Sequence, residues 1–159
     1  MIKILHFSDI INRWDIIATV LNLERVGIPR FALANYTLEK AVRLLKKQGR
    51  FAASAIEQAA RAKAACEASR LYSYSIIDKR ARGELPGPEA SAGRFATVNC
   101  ERMVSEFVVE HVPEALAGQH PMLLAHHQRG IVAGIASGAA EIQLNNIATQ
   151  LLQLPREPR

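Results

Sequence analysis

The sequence predicts an all-α fold, an antiparallel four-helix bundle, and two observations carry this prediction. Apolar residues recur every three or four positions over long segments, which is the period of a helix with one buried face. Glycine and proline are few, with 9 and 7 residues, and they cluster where those segments end. The chain has 159 residues, of which 49% are hydrophobic, so it is long enough to bury one core. Short connections make neighbouring helices antiparallel.

The first helix is predicted over residues 14–47. Its apolar stripe consists of residues three or four positions apart, namely Ile16, Val20, Leu23, Gly27, Phe31, Ala34, Leu38, Val42 and Leu45. Pro29 removes one backbone hydrogen-bond donor inside this run, and Gly27 lies just before it. We therefore expect a kink or a break in the helix at this point.

The second and third helices are predicted over 54–82 and 88–111. Gly83 suits the position just after a helix, where the left-handed backbone conformation is common. Pro88 suits the first position of the third helix, because a proline there gives up no helical hydrogen bond. The turn around Gly49 separates the first two helices.

The C-terminal part is predicted to be less regular. Residues 118–138 contain several glycines, so only a short helix near 122–128 is expected, with His126-His127 as a solvated pair. A last helix over 139–152 ends before Pro155. Its apolar side chains, on or near one face, are Ile142, Ile147 and Leu151.

The predicted organisation has one folded unit. A lead-in segment over 1–13 precedes the bundle over 14–155, and a short tail over 156–159 follows it. No apolar run reaches the length needed to cross a bilayer, so we expect no membrane association.

Charge and cysteine content narrow the classes of function. The net charge of +5 suggests an anionic partner, but the basic residues are spread along the chain, which argues against nucleic-acid binding. The two cysteines, Cys66 and Cys100, lie far apart and outside any zinc-ligand spacing, so they are interpreted as small buried hydrophobes and no metal site is predicted. Because free cysteines are usual in a reducing compartment, we expect the protein to be cytoplasmic.

The most specific string in the sequence lies in the last helix. It runs from Ser137-Gly138-Ala139-Ala140 through Glu141-Ile142-Gln143 to Leu154-Pro155-Arg156. This string resembles the C-terminal signature of acyl-CoA dehydrogenases, in which Gly-Thr-Ser-Glu-Ile-Gln precedes a Leu-Pro-Arg ending. Asn22-Leu23-Glu24-Arg25 resembles the stretch that opens the C-terminal domain of that family. The resemblance runs from about Trp14 to Pro155 and is closest to the branch with the steroid side-chain dehydrogenases.

The resemblance implies a three-part enzyme, of which this chain corresponds to the third part, a helical bundle. Such enzymes carry out α,β-dehydrogenation of an acyl-CoA thioester: a carboxylate removes the α proton and the flavin takes the β hydride. Much of the family has its glutamate base at the position that Ser137 occupies in this chain, and a serine cannot act as that base. Glu24 matches the base position of a second branch, with Arg25 beside it as a substrate-binding candidate. The alternative is that Glu24 only pairs with a cation such as Arg25.

The cofactor contacts that the resemblance implies are partly retained. Arg50 matches an arginine that contacts the flavin diphosphate, and Ser137, Gly138, Ala139 and Glu141 occupy the flavin-contacting loop and helix start. The Thr-Ser of that loop is replaced by alanines, which removes polar partners for the cofactor. FAD is therefore expected in the complete enzyme and not on this chain alone.

The resemblance also implies partners. We expect a homo-oligomer or a mixed-subunit assembly with other acyl-CoA dehydrogenase chains, and acyl-CoA as the substrate. The alternative is a non-catalytic helical oligomerisation module that derives from the family and lacks flavin.

Overall fold

The computed structural model describes residues 28–84, 87–135 and 139–155. In these ranges the chain forms α1 (Ile28–Lys47), α2 (Ala53–Ala81), α3 (Glu89–His111), α4 (Pro121–Val132) and α5 (Ala140–Asn146). A 3₁₀ turn, Pro113–Ala115, follows α3, and a π-helical turn, Ile147–Leu151, continues α5. These ranges contain no strand, so the all-α prediction is confirmed.

Successive helices from α1 to α4 run antiparallel, as predicted. In each pair, residues early in one helix contact residues late in the next. The contacts are Phe31–Tyr74 and Asn35–Lys63 for α1 and α2, Gln58–Glu110 and Ser69–Thr97 for α2 and α3, and Arg94–Ala133 and Ser105–His127 for α3 and α4. Helix α5 packs on α3, where Asn146 Nδ2 lies 3.4 Å from Ser91 Oγ. Helix α3 is thus the centre of the bundle, in contact with every other helix.

The core follows from the predicted apolar stripe of α1. Phe31, Ala34, Leu38 and Leu45 are buried, and they pack with apolar residues of α3 such as Phe107. Helix α2 presents a buried face of small residues instead, formed by Ala55, Ala59, Ala62, Cys66, Ser69 and Ser73. Small side chains let two helices approach closely. A Cβ on Gly93 of α3 would lie 2.7 Å from Ile76 Cδ1, which shows how tight this packing is.

Most helix boundaries agree with the prediction. Gly83 follows the C-cap of α2 with φ of +77°, the left-handed conformation that glycine adopts at low cost. Pro88 is the N-cap of α3, so this helix begins one residue later than predicted, at Glu89. Pro29 lies in the first turn of the described range of α1. The lead-in segment, the part of the first predicted helix before residue 28 and the tail lie outside the described residues.

Helix α4 corrects the prediction for the C-terminal part. The segment expected to be irregular, with a helix over 122–128 only, contains three turns of helix that run through Gly130. Gly130 lies inside the helix, where the absence of a side chain leaves room for α3. A Cβ on Gly130 would lie 2.9 Å from Ser105 Cβ of α3. The glycine that the sequence suggests as a breaker therefore allows α4 to lie against α3.

One further expectation for this region was wrong. His126 is not solvated, since only 1% of the residue is exposed. In the last helix, Ile142 and Leu151 are 53% and 44% exposed. Ala140 and Gln143 form the buried face of α5 instead. Among the described helices, none has the length and hydrophobicity required to span a bilayer.

Candidate functional site

Arg50, the predicted flavin contact, lies between the end of α1 and the end of α3. Its Nη1 donates to Glu114 Oε1 at 2.7 Å and to Gln48 Oε1 at 2.9 Å, and its Nη2 donates to the carbonyl of His111 at 2.7 Å. The Glu114 backbone N–H, and then Arg50 and Gln48, hold the pKa of the Glu114 carboxyl below its usual value, although burial raises it. The guanidinium, 43% exposed, thus ties two helix ends together.

The predicted site at the start of α5 has few polar groups among its described residues. Ala139 is the half-buried N-cap and Ala140 is buried, and neither side chain can hydrogen-bond. Glu141 is exposed in the first turn, where a carboxylate suits the positive end of a helix. Ser137 and Gly138 lie outside the described residues, as do Glu24 and Arg25, so their predicted roles stay predictions.

These described residues do not fit a flavin by themselves. A flavin diphosphate at Arg50 would compete with Glu114 for the guanidinium. Ala139 provides only backbone groups, and the Glu141 carboxylate would repel a phosphate. The chain alone therefore lacks a formed flavin site in the part that the structure describes.

A largely buried polar seam, formed by Arg30, Arg94, Glu101 and His126, connects α1, α3 and α4. Arg30 binds the Glu101 carboxylate twice, with Nε to Oε1 at 3.1 Å and Nη2 to Oε2 at 2.8 Å. Glu101 is only 1% exposed, whereas Arg30 reaches the surface. The pair joins the first turn of α1 to the middle of α3.

A second arginine of the seam, Arg94, is buried on α3. Its Nη2 donates to the carbonyl of Ala133 at 2.6 Å, which holds the end of α4. Burial lowers the pKa of Arg94, helped by the nearby charge of Arg30, whereas Glu101 raises it. Glu101 is thus the anion that balances two guanidinium groups, of which one has no access to water.

His126 of the seam is a neutral imidazole. Its Nδ1 accepts a hydrogen bond from Arg129 Nη2 at 3.2 Å, so the ring proton resides on Nε2, which points to the carbonyl of Glu101 at 3.3 Å. Burial lowers the pKa of His126 to about 4 against the hydrogen bond to the Glu101 carbonyl, which raises it. The ring therefore bridges α3 and α4 in its uncharged form.

This burial predicts a pH dependence of stability. His126 has a pKa of about 4 in the folded chain and an ordinary value near 6.5 when unfolded, so the unfolded chain binds the proton more tightly. The contribution of His126 to the free energy of unfolding is therefore fully present above pH 6.5. The free energy of unfolding is expected to fall by about 3 kcal/mol as the pH drops to 4. Chemical denaturation across this interval measures it. His126→Gln should give a flatter profile, and an equally steep one would assign the dependence to other groups.

Gln143 is a separate buried polar residue, on α5. It is 0% exposed, and neither its amide oxygen nor its amide nitrogen has a hydrogen-bond partner among the described residues. A buried amide without partners is costly to fold. The sequence placed Gln143 in the family string but gave no reason to single it out.

Sequence reasoning missed the seam as a whole, although one signal was present. Arg94, Glu101 and Ser105 are spaced by seven and four residues, so they share one face of α3 with its apolar core residues. Charged residues on an otherwise buried helical face indicate paired buried charges.

A groove of about 610 Å³ lies between the C-terminal half of α1 and the start of α4. Apolar residues form its floor and basic residues its rim; the main ones are Leu44, Met122 and Leu123 for the floor and Lys40, Arg43, Lys47 and His120 for the rim. Neither lysine forms an ion pair with a described carboxylate. Part of the positive charge of the chain thus lies at this groove, and the anionic partner stays a prediction. No group of three or more His, Cys, Asp or Glu side chains is placed to hold a metal ion within the described ranges.

Comparisons with known proteins point to one family. The family model described as "Acyl-CoA dehydrogenase, C-terminal domain" matches residues 14–152. A solved structure of a glycine-to-alanine variant of the Tcur3481-Tcur3483 steroid ACAD, or acyl-CoA dehydrogenase, is similar with a TM-score of 0.72 and 27% sequence identity. The match covers 91% of this chain and 40% of that chain. No curated protein matches the chain.

Proposed function

The chain belongs to the acyl-CoA dehydrogenase family, as a C-terminal domain, and we propose that it is the C-terminal portion or a subunit of a flavin-dependent enzyme that introduces an α,β double bond into an acyl-CoA thioester. The observation that carries the proposal is the family match over nearly the whole bundle, 14–152. The resemblance to a steroid ACAD favours a steroid or fatty acyl substrate. The chain spans 40% of the length of that relative, so the remaining parts of the site would come from elsewhere.

We propose Glu24 as the base that removes the α proton of the thioester. The support is its match to the base position of one branch of the family, together with Ser137 at the other base position. A carboxylate in a water-excluded pocket has a raised pKa and becomes a stronger base at neutral pH. Arg25 would bind the substrate beside it.

FAD would be held mainly by residues outside this chain. The described cofactor candidates support this division, because Arg50 is engaged by Glu114 and the alanines at 139 and 140 have no polar side chain. In such an assembly, this chain supplies the base and the helical wall of the pocket. The free state of both buried cysteines agrees with a reducing, cytoplasmic setting.

A second candidate is a non-catalytic helical module that survives through oligomerisation. The engagement of Arg50 by Glu114 favours it, since this carboxylate would compete with a cofactor phosphate for the guanidinium. Enzyme assays separate the two: the chain is co-expressed with the chains that supply the rest of the enzyme, and the conversion of acyl-CoA to enoyl-CoA is measured by chromatography. Turnover that depends on this chain supports the enzyme, and a stable assembly without turnover supports the module.

We expect the chain to self-associate or to bind other chains of the family. Exposed apolar side chains concentrate on α4, α5 and their connection, where Ile131, Ile135 and Ile142 are 63%, 72% and 53% exposed. Patches of this kind in a water-soluble fold usually mark an interface. Sedimentation velocity of the purified chain should show mass that increases with concentration.

Paired variants locate this interface. Ile135→Ser with Ile142→Ser should shift the sedimentation profile towards the monomer, whereas Leu71→Ser, at an exposed position of α2, should leave it unchanged. A clean monomer of the unaltered chain at high concentration would contradict the self-association, and dissociation by Leu71→Ser alone would move the interface to α2.

A further inference from the structure

Two cysteines that are far apart in sequence face each other in the small-residue interface between α2 and α3. The register is fixed by Ser69 and Thr97, whose hydroxyl oxygens lie 3.0 Å apart. Because the two helices are antiparallel, the residues about one turn back on α2 and one turn forward on α3 also oppose each other. These residues are Cys66 and Cys100. The contact between Gln58 and Glu110 farther along confirms the same register.

The two thiols lie in a site closed to solvent, where the Cys100 thiol donates to the carbonyl of Thr97 at 3.2 Å. Cys66 and Cys100 are 1% and 0% exposed. The side chain of Cys100 lowers the pKa of Cys66, and the side chain of Cys66 together with burial raises the pKa of Cys100. Lys63, one turn before Cys66, also lowers the pKa of Cys66, whereas burial and Glu67 raise it. The direction of the two shifts favours Cys66 as the first of the two sulfurs to lose its proton.

We propose that Cys66 and Cys100 form an oxidisable thiol pair, which a peroxide converts into an intramolecular disulfide that joins α2 to α3. Such a bond needs Cα atoms about 4.4–6.8 Å apart, a distance that facing positions of closely packed helices provide. The neighbouring Ser69 and Thr97 side chains already meet at hydrogen-bond distance, so cross-linking requires little movement of either helix.

The reaction is balanced in two steps. The Cys66 thiolate attacks one oxygen of hydrogen peroxide, which gives a sulfenic acid and releases hydroxide; the proton lost from Cys66 converts the hydroxide to water. The Cys100 sulfur then attacks the sulfenic sulfur, and the second water leaves with the Cys100 proton. Two thiols are oxidised by two electrons and one peroxide is reduced. Since both sulfurs are buried, the rate is limited by opening of the interface between α2 and α3 and is slower than for the unfolded chain.

Peptide mapping tests the proposal directly. The purified full chain is treated with hydrogen peroxide, remaining thiols are alkylated, and the chain is digested with trypsin without reduction. Cleavage after Lys63, Arg70, Arg94 and Arg102 gives the peptides 64–70 and 95–102, each with one cysteine. Mass spectrometry is expected to find these two peptides joined, two hydrogen masses below their sum, in a chain that stays unlinked to other chains on a non-reducing gel.

Thermal unfolding gives a second readout. The oxidised chain should unfold at a temperature about 5–10 °C higher than the reduced chain, because the bond closes a loop between residues 66 and 100 in the unfolded state. Cys66→Ala and Cys100→Ala suit the alanine-rich interface and should each abolish both the linked peptides and the temperature shift. Three results would each overturn the proposal. The thiols of the folded chain stay free while the same oxidant links those of the unfolded chain; disulfides form only between chains; or oxidation lowers the unfolding temperature.

Discussion

Glu101→Ala is expected to lower the free energy of unfolding by about 3–5 kcal/mol, because breaking a buried ion pair leaves an uncompensated charge. The carboxylate accepts a hydrogen bond from Arg30 Nε, forms an ion pair with Arg30 Nη2 and balances Arg94, which is buried and stays charged without it. Arg30 reaches water, so the larger part of the cost comes from Arg94 and from the lost connection between α1 and α3. Urea denaturation followed by circular dichroism measures the change.

Glu57→Ala is the matched control for this variant. Glu57 forms an ion pair with Arg61 at 2.7 Å, but both side chains are about two-thirds exposed. Water screens such a pair, so its loss should leave the denaturation midpoint almost unchanged. If the two variants had equal effects, the buried seam would not be a structural element of the bundle.

Glu24→Gln is expected to lower the turnover of the assembled enzyme by at least about 10²-fold, the lower end of the loss when a general base is removed. Glutamine keeps the size and the hydrogen-bonding capacity of the side chain but cannot take the α proton. Glu24 lies outside the described residues, so this prediction rests on its match to the family. The measurement is the rate of enoyl-CoA formation, with circular dichroism to show that the bundle remains folded.

Glu141→Gln is the control for the base. Glu141 belongs to the family string and is exposed at the start of α5, so it should affect turnover less, through packing or a cofactor contact. Unchanged turnover of Glu24→Gln would place the base on a partner chain and make this chain structural.

The fold was predictable because the apolar stripe of α1 has a clear helical period and glycine and proline cluster where the helical segments end. What the sequence could not reveal is which glycine breaks a helix and which one serves packing. Gly83 adopts the left-handed conformation and ends α2, whereas Gly130 lies inside α4 against Ser105. Only the tertiary contact distinguishes these two roles, and the misjudged length of α4 follows from it.

The candidate site was predictable only where a family string exists. The sequence places His126 in solvent because several glycines surround it, yet the packing of α4 on α3 buries it. The family resemblance implies a cofactor contact for Arg50, and the structure adds a competing carboxylate from Glu114, which is distant in sequence. Partners that lie 64 residues apart cannot be paired from one sequence.

The flavin content of the chain, alone and in its assembly, tests the central claim most directly. The claim is that this bundle completes an acyl-CoA dehydrogenase but does not hold the cofactor by itself. The purified chain should be colourless, without flavin absorbance after denaturation, because the described cofactor candidates do not fit a flavin. The assembly with the chains that supply the rest of the enzyme should contain FAD and convert acyl-CoA to enoyl-CoA. Near-stoichiometric flavin on the isolated chain, or an assembly that neither retains FAD nor forms enoyl-CoA, would contradict the account.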